Sequence, residues 1–431
     1  MASFVIQGGQ RLAGEHTVQG AKNSVLPILA AAVAVKGRCV IRRCPDLSDV
    51  RATLAILEHL GCAVSREGGA VTVDSSALTG CAIPERLMRE MRSSIVFLGP
   101  LLSALGSADL SAPGGCDIGL RPINLHLDAM RALGVQIRKE GGRLLCQAPG
   151  GMKGARHALL IPSVGATENM MIAAATAKGV TVLTNAAREP EIVDLADFLR
   201  ACGAKIHGAG GGSIVIEGVE ALHGAEHTVI PDRITAATFL CAAAITGGEV
   251  TLHRCEPGHM DAMLLVLEQA GCRVRRRGGD LQLGMPGRLR HITVRTMPYP
   301  GFPTDAQAAF IALAAVAQGA SMVTETIFES RFRHIGELGK MGANIRVEGR
   351  VAVVDGVSRL RGAQVDACDL RAGTALVVAG LAADGETRVR EIRHVDRGCE
   401  NFEKDLRALG AHMHRTEDGE SDEDATETGR T

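Results

Sequence analysis

Apolar residues recur along this chain with a helical period that ends, six times, on a glycine. Val50, Leu54, Leu57 and Leu60 precede Gly61 at spacings of three and four; Ile192, Leu195, Phe198 and Leu199 lead to Gly203 in the same way. The six endings are Leu60-Gly61-Cys62-Ala63-Val64, Leu133-Gly134-Val135-Gln136-Ile137, Cys202-Gly203-Ala204-Lys205-Ile206, Ala270-Gly271-Cys272-Arg273-Val274, Met341-Gly342-Ala343-Asn344-Ile345 and Leu409-Gly410-Ala411-His412-Met413. Their glycines stand 68 to 73 residues apart, so the chain is six copies of one unit. Glycine fits the position just past a helix, where a left-handed backbone closes the last turn. A short strand, a turn and a second strand should follow, at 63–66 and 70–73 in the first copy and at 205–207 and 213–217 in the third.

Each copy also holds a helix built almost wholly from small apolar residues, at 24–35, 93–105, 167–177, 235–245, 306–317 and 373–383. A helix apolar all round is buried on all sides. One unit therefore reads as strand, buried helix, strand, surface helix and strand pair, a βαβαββ unit. The predicted architecture is α/β: a two-lobed inside-out α/β barrel, three units per lobe around buried helices. Residues 22–230 form the first lobe and residues 1–21 with 231–415 the second, with a hinge near Ile230-Pro231-Asp232-Arg233. The opening strand at 4–7 has no place in the first unit and is expected to complete the second lobe. A cleft between two lobes is the favoured place for a ligand.

Composition narrows the partners. The 431 residues suffice for two large domains. Aromatics make up 2% with no Trp, which argues against stacking platforms for nucleic acid. Seven acids and one base sit in the tail 416–431, against a formal charge of −1 for the whole chain. That tail, without apolar residues to bury, is expected to be disordered. Of the 12 cysteines none form a C-x-x-C pair, and Cys39, Cys62, Cys202, Cys241 and Cys272 lie in apolar contexts as small hydrophobes. With no signal peptide ahead of Phe4-Val5-Ile6 and no apolar run of the ~18 residues that a span needs, the expectation is a cytoplasmic protein without disulfides or membrane contact.

One stretch carries reactive chemistry: Pro113-Gly114-Gly115-Cys116-Asp117-Ile118-Gly119-Leu120-Arg121-Pro122. Its glycines and prolines specify a loop. A cation such as Arg121 near Cys116 would favour the thiolate. The same residues read equally well as a buried cysteine in an ordinary glycine-rich turn. Charges also gather where the buried helices begin: Lys22-Asn23, Arg92, Asp232-Arg233, Asp305 and Arg371. Helix N-termini bind anions. With Arg121, Arg331 and Arg397 added, a strongly anionic ligand is expected. Gly208-Ala209-Gly210-Gly211-Gly212-Ser213 is followed by a strand, which fails the dinucleotide fingerprint and suits a hairpin turn. No phosphate-binding G-x-x-x-x-G-K-[ST] occurs, and no His or Cys pair has metal-ligand spacing, so no metal is expected.

The sixfold repeat resembles the enolpyruvyl transferase family. Further motifs agree in register: Gly20-Ala21-Lys22-Asn23, Met91-Arg92-Ser93-Ser94, the cysteine loop at 113–122, Ser163-Val164-Gly165-Ala166-Thr167 and Ala187-Arg188-Glu189-Pro190-Glu191. So do Pro231-Asp232-Arg233, Phe302-Pro303-Thr304-Asp305, Phe328-Glu329-Ser330-Arg331-Phe332, Asp369-Leu370-Arg371 and His394-Val395-Asp396-Arg397-Gly398. The resemblance implies transfer of the enolpyruvyl group of phosphoenolpyruvate to the 3'-hydroxyl of UDP-N-acetylglucosamine, with release of phosphate. It implies Cys116 as the general acid at the enol methylene, able to form a covalent adduct, and Asp305 as the base for the sugar hydroxyl. Lys22, Arg121 and Arg397 match phosphate binders; Arg331 and Arg371 match carboxylate binders. Asn23, Arg92, Arg121, Pro122, Ile123, Asn124, Leu125, Ser163, Val164, Gly165, Asp305 and Ile327 match the UDP-sugar site. No metal or organic cofactor is implied. One departure is Ile161, where some family members carry Lys. Two alternatives stay open at this level: the same chemistry on another nucleotide sugar, or an idle paralogue that binds a UDP-sugar.

Overall fold

The computed structural model describes residues 2–91, 93–111 and 123–417. Arg92, the loop residues Cys116, Arg121 and Pro122, and the acidic tail from residue 418 onward lie outside the described residues. The buried helices are Lys22–Ala31, Leu98–Leu105, Val164–Ala174, Arg233–Ile245, Gln307–Ala314 and Leu370–Ala382. Every residue of Arg233–Ile245 is buried, as a helix that has no polar face beyond its opening Arg233 requires. Two of the expected helices are shortened by tighter 3₁₀ turns at Ala32–Ala34 and Ser94–Phe97. The third begins earlier than its apolar run, because Ser163 caps it by accepting from the Ala166 amide at 3.4 Å. The sixth is capped by Asp369, which accepts from the amides of Arg371 and Ala372 at 2.8 and 2.9 Å.

The surface helices Ser48–His59, Asn124–Ala132, Pro190–Ala201, Asp261–Gln269, Ile335–Lys340 and Phe402–Ala408 all stop at the predicted glycine. Gly61, Gly134, Gly203, Gly271, Gly342 and Gly410 have φ between 88° and 100°. The next amide then reaches back five residues: Cys62 to Leu57, Val135 to Met130, Ala204 to Leu199, Cys272 to Leu267, Ala343 to Leu338 and Ala411 to Leu406, all at 2.9–3.1 Å. A side chain at the glycine would strain that backbone, so this one residue type sets the end of the helix and the direction of the next strand.

Each repeat contributes one four-stranded sheet with a constant pattern. In the second, Ala82–Ile83 lies parallel to Ser107–Ser111, which pairs antiparallel with Arg143–Gln147, which pairs antiparallel with Gln136–Glu140. The first sheet borrows its leading strand, Glu226–Thr228, from the far end of the third repeat. The chain start supplies two strands elsewhere: Ala13–Thr17 leads the fourth sheet, and Ser3–Gln7 lies between Glu386–Arg390 and His412–Thr416 in the sixth.

The described residues divide into two compact units, each with three repeats and its own apolar core. One comprises Gln19–Asp232 with Pro298–Pro300; the other comprises the residues up to Val18, Arg233–Met297 and those from Gly301 onward. In the first, a buried carboxylate ties the third repeat to the first. Asp194 accepts from the Ser24 hydroxyl, lies 2.8 Å from His227 Nε2 and accepts from the Ile230 amide at 3.3 Å. Beside it the entering and leaving chains pair: Ala21 N donates to Ile230 O at 2.8 Å and Asp232 N to Gln19 O at 2.9 Å. Cys39, Cys62, Cys202, Cys241 and Cys272 are buried. Among the described residues no helix is long and apolar enough to cross a membrane.

The third buried helix breaks the apolar pattern at Glu168, which is 7% exposed. Burial first, then the charges of Glu191 and Glu189, push its carboxyl up to about 8. Between its ordinary value and that one, the folded chain binds more protons than the unfolded chain, so stability falls as pH rises. Glu168→Gln is therefore expected to melt at a higher temperature than the parent at pH 9, with the gain shrinking towards pH 5. Thermal unfolding at both values checks it; a gain of equal size at both would discard the explanation.

Candidate active site

In the unit of Gln19–Asp232, the predicted residues collect on the first turns of helices. Lys22 opens the first buried helix and is itself buried. Its Nζ lies 2.7 Å from Asp49 Oδ2 on the adjoining surface helix, and its backbone amide donates to Asp232 Oδ2 at 3.1 Å. Two carboxylates thus hold the lysine end of this helix. Asn23 is exposed one residue on. Ile123 and Asn124 open the surface helix of the second repeat, half-buried and exposed respectively, while Leu125 is buried. Ser163, Val164 and Gly165 are half-buried at the start of the third buried helix. Leu160 and Ile161, just before them, are exposed, so the chain offers apolar surface and no cation at the departure noted above.

In the other unit, three predicted residues come into direct contact. Asp305 precedes the fifth buried helix and is 29% exposed. Its Oδ1 accepts from Arg331 Nη2 at 2.7 Å and its Oδ2 from Arg371 Nη2 at 2.9 Å. Both arginines are buried, at 5% and 8% exposure. Such pairs at low dielectric are strong but leave the guanidinium groups dependent on a neighbouring anion. Arg331 Nε is buried without a hydrogen-bond partner among the described residues, and its guanidinium carbon sits 5.7 Å from the centre of the Phe328 ring. Behind it His334 is fully enclosed; burial is the main cause that pushes its pKa down to about 4, so the ring is neutral. Arg397 ends the 3₁₀ turn Ile392–Arg397 and is half-buried.

One residue that shapes this cluster gave no signal in the sequence. Glu325 is 1% exposed. It accepts from Thr296 Oγ1 at 3.0 Å, Thr304 Oγ1 at 2.9 Å and the amides of Ile327 and Phe328 at 2.7 and 3.1 Å. It thereby fixes the turn bearing Ile327 and Phe328 to the residue next to Asp305. A carboxylate satisfied by four donors is a structural clamp, and nothing short of its partners' positions distinguishes it from a solvated glutamate. Among the described residues no group of three or more His, Cys, Asp or Glu side chains could hold a metal ion.

Carboxylate, guanidinium and ammonium groups set at buried helix starts suit a reaction of anionic substrates. Residues 6–406 match the family model of EPSP synthase (3-phosphoshikimate 1-carboxyvinyltransferase), and the chain belongs to that family of enolpyruvyl transferases. Within it, the chain is 49% identical to UDP-N-acetylglucosamine 1-carboxyvinyltransferase 2 of Caldanaerobacter subterraneus subsp. tengcongensis, over 96% of this chain and 100% of the relative. It is 49% identical to UDP-N-acetylglucosamine 1-carboxyvinyltransferase 1 of Symbiobacterium thermophilum, over 96% and 95%. The crystal structure of the enolpyruvyl transferase NikO from Streptomyces tendae superposes with a TM-score of 0.88 at 28% identity, covering 96% of this chain and 99% of that one. The EPSP synthase of Acinetobacter baumannii, at 21% identity and a TM-score of 0.76 over 97% of this chain and 100% of that one, shares the fold. The α/β repeat architecture expected from the periodicity is the architecture of this family.

Proposed function

We propose that this protein transfers the enolpyruvyl group of phosphoenolpyruvate to the 3'-hydroxyl of UDP-N-acetylglucosamine, the first committed step of peptidoglycan synthesis. The observation that carries the reading is identity of 47–49% along nearly the whole chain to three relatives of one name. The site residues are assigned roles as follows. Asp305 takes the proton of the sugar hydroxyl as its oxygen bonds to C2 of phosphoenolpyruvate, while Cys116 protonates the methylene carbon. The C2–phosphate oxygen bond then breaks, a methyl proton is lost, and the enol ether and phosphate result. Lys22, Arg121 and Arg397 hold the phosphate; Arg331 and Arg371 serve the carboxylate. Asn23, Arg92, Pro122, Ile123, Asn124, Leu125, Ser163, Val164, Gly165 and Ile327 line the place of the UDP-sugar. Both substrates are charged, water-soluble metabolites, and the reading places the protein in the cytoplasm.

A phosphate-release assay tests it. Phosphate should appear only when both phosphoenolpyruvate and UDP-N-acetylglucosamine are present. No release with both, or equal release without the sugar nucleotide, rejects the reading.

A further inference from the structure

We propose that the outward face of the fourth repeat's sheet is a docking surface for this chain's own acidic segment 418–431, held by Arg273, Arg275 and Arg277. The three arginines occupy alternate positions of the strand Arg273–Arg277, at the edge of that sheet, and all are exposed. Alternation places them on one face, about 7 Å apart at about 3.4 Å per residue. The residues between them face the other way. Val274 lies opposite the buried Leu283, and Arg276 pairs with Asp261 of the surface helix Asp261–Gln269 at 2.6 Å. Among the described residues, Arg273, Arg275 and Arg277 have no ion-pair partner. The carboxylates that share their face are already engaged. Asp280, opposite Arg277, lies 3.0 Å from His253 Nδ1 and accepts from the Arg254 amide at 3.0 Å. Glu249 accepts from Gln282 at 3.0 Å, and Glu15 lies 3.2 Å from His253 Nε2.

The fold itself does not ask for this charge. At the three corresponding positions the other five repeats carry no more than one arginine or lysine each. Two of those cations face a carboxylate: Lys205 lies 3.8 Å from Glu217 and Arg346 lies 3.3 Å from Asp355. The acidic segment supplies the complement. Glu420, Asp422 and Asp424 alternate as the arginines do, so an extended chain presents carboxylates at the same spacing, with Asp418, Glu423 and Glu427 beside them. The segment also starts within reach, since the chain passes Thr416 in the same compact unit. Leu409 O accepts from the Ala13 amide at 2.8 Å, and Ala13, Glu249, Gly284 and Arg273 lie abreast across the fourth sheet. The path from Thr416 back to Leu409 and across three strand spacings is at most about 45 Å, and the direct separation is shorter. The residues after Thr416 can extend to about 50 Å. Tethering keeps their effective concentration near the millimolar range, which lets individually weak exposed ion pairs hold the segment.

Heparin, a soluble polyanion, probes whether the arginines are covered in the full chain. Neutralising three acids together (Asp422→Asn, Glu423→Gln, Asp424→Asn) should tighten heparin binding about tenfold at about 50 mM salt, the worth of a few exposed ion pairs. The same change made on top of Arg273→Gln, Arg275→Gln and Arg277→Gln should alter heparin binding less than about twofold, because nothing is left to uncover. An equal gain in both backgrounds reports net charge alone and overturns the proposal, as does no gain in either. A second measurement identifies the occupant with one conservative, exposed substitution. Arg275→Lys keeps the charge and adds an amine that a zero-length carbodiimide can couple to a touching carboxylate, with loss of water. Mass spectrometry should find position 275 joined to an acid of 418–431 in material of single-chain mass. The link should vanish at about 0.5 M salt, where charges are screened within a few ångströms. No such link overturns the proposal. So does a link confined to material of twice the mass, which assigns the face to the segment of a second copy.

Discussion

Cys116→Ala should release phosphate at least about 100-fold more slowly than the parent at pH 7, the contribution a positioned general acid commonly makes. Binding of UDP-N-acetylglucosamine should persist, since the thiol is assigned to the methylene carbon of the other substrate. Cys116→Asp separates acid from nucleophile. A carboxylic acid can still deliver a proton, so part of the turnover should remain. It should resist an epoxide such as fosfomycin, which the parent's thiolate is expected to open by forming a C–S bond as the ring C–O bond breaks and the oxygen takes up a proton. Phosphate release and the intact mass after epoxide treatment read the two effects. Full turnover in Cys116→Ala would remove the thiol from the mechanism.

The second large effect is expected at Asp305, and it reaches beyond turnover. Its carboxylate holds two guanidinium groups, those of Arg331 and Arg371, that are nearly excluded from water. Asp305→Ala removes the proposed base and should cost turnover a factor of about 100 or more. It also leaves two buried positive charges without their common partner, a loss of about 3–5 kcal/mol in comparable cases. Phosphoenolpyruvate, or inorganic phosphate, is expected to substitute for the missing anion. The melting temperature of Asp305→Ala should therefore lie below the parent's and rise more steeply with added phosphoenolpyruvate. Identical melting temperatures with identical ligand shifts would show that the carboxylate does not support the two arginines.

The repeat was legible because its signal is local. A helical stripe followed by glycine reports a backbone conformation that few other residues adopt, and all six glycines have it. The partners of the strands were less legible. Glu226–Thr228 is three residues long and joins the sheet of Arg38–Arg42 some 185 positions away, and neither strand encodes the other. The site divides along the same line. Lys22, Asp305, Arg331 and Arg371 stand out as charges placed at or near apolar helices, where an unpaired ion would be costly. Glu325 and Asp49 do not, because each is defined by neighbours distant in sequence: Thr296 and Thr304, and Lys22. Asn169, next to Glu168 in the middle of the third buried helix, is a second buried polar residue that could have drawn attention. The start of that helix was misplaced because Ser163, as cap, extends it ahead of its apolar run.

The paired segments at Ala21–Ile230 and Gln19–Asp232 mean that some two hundred residues begin and end at nearly one point. Such a stretch has the geometry of a cassette: duplicated, excised or inserted into another gene, it imposes no gap on the host backbone. The same closeness makes it a natural starting point for circular permutation, with new ends opened in an exposed turn and the old ones joined by a short linker.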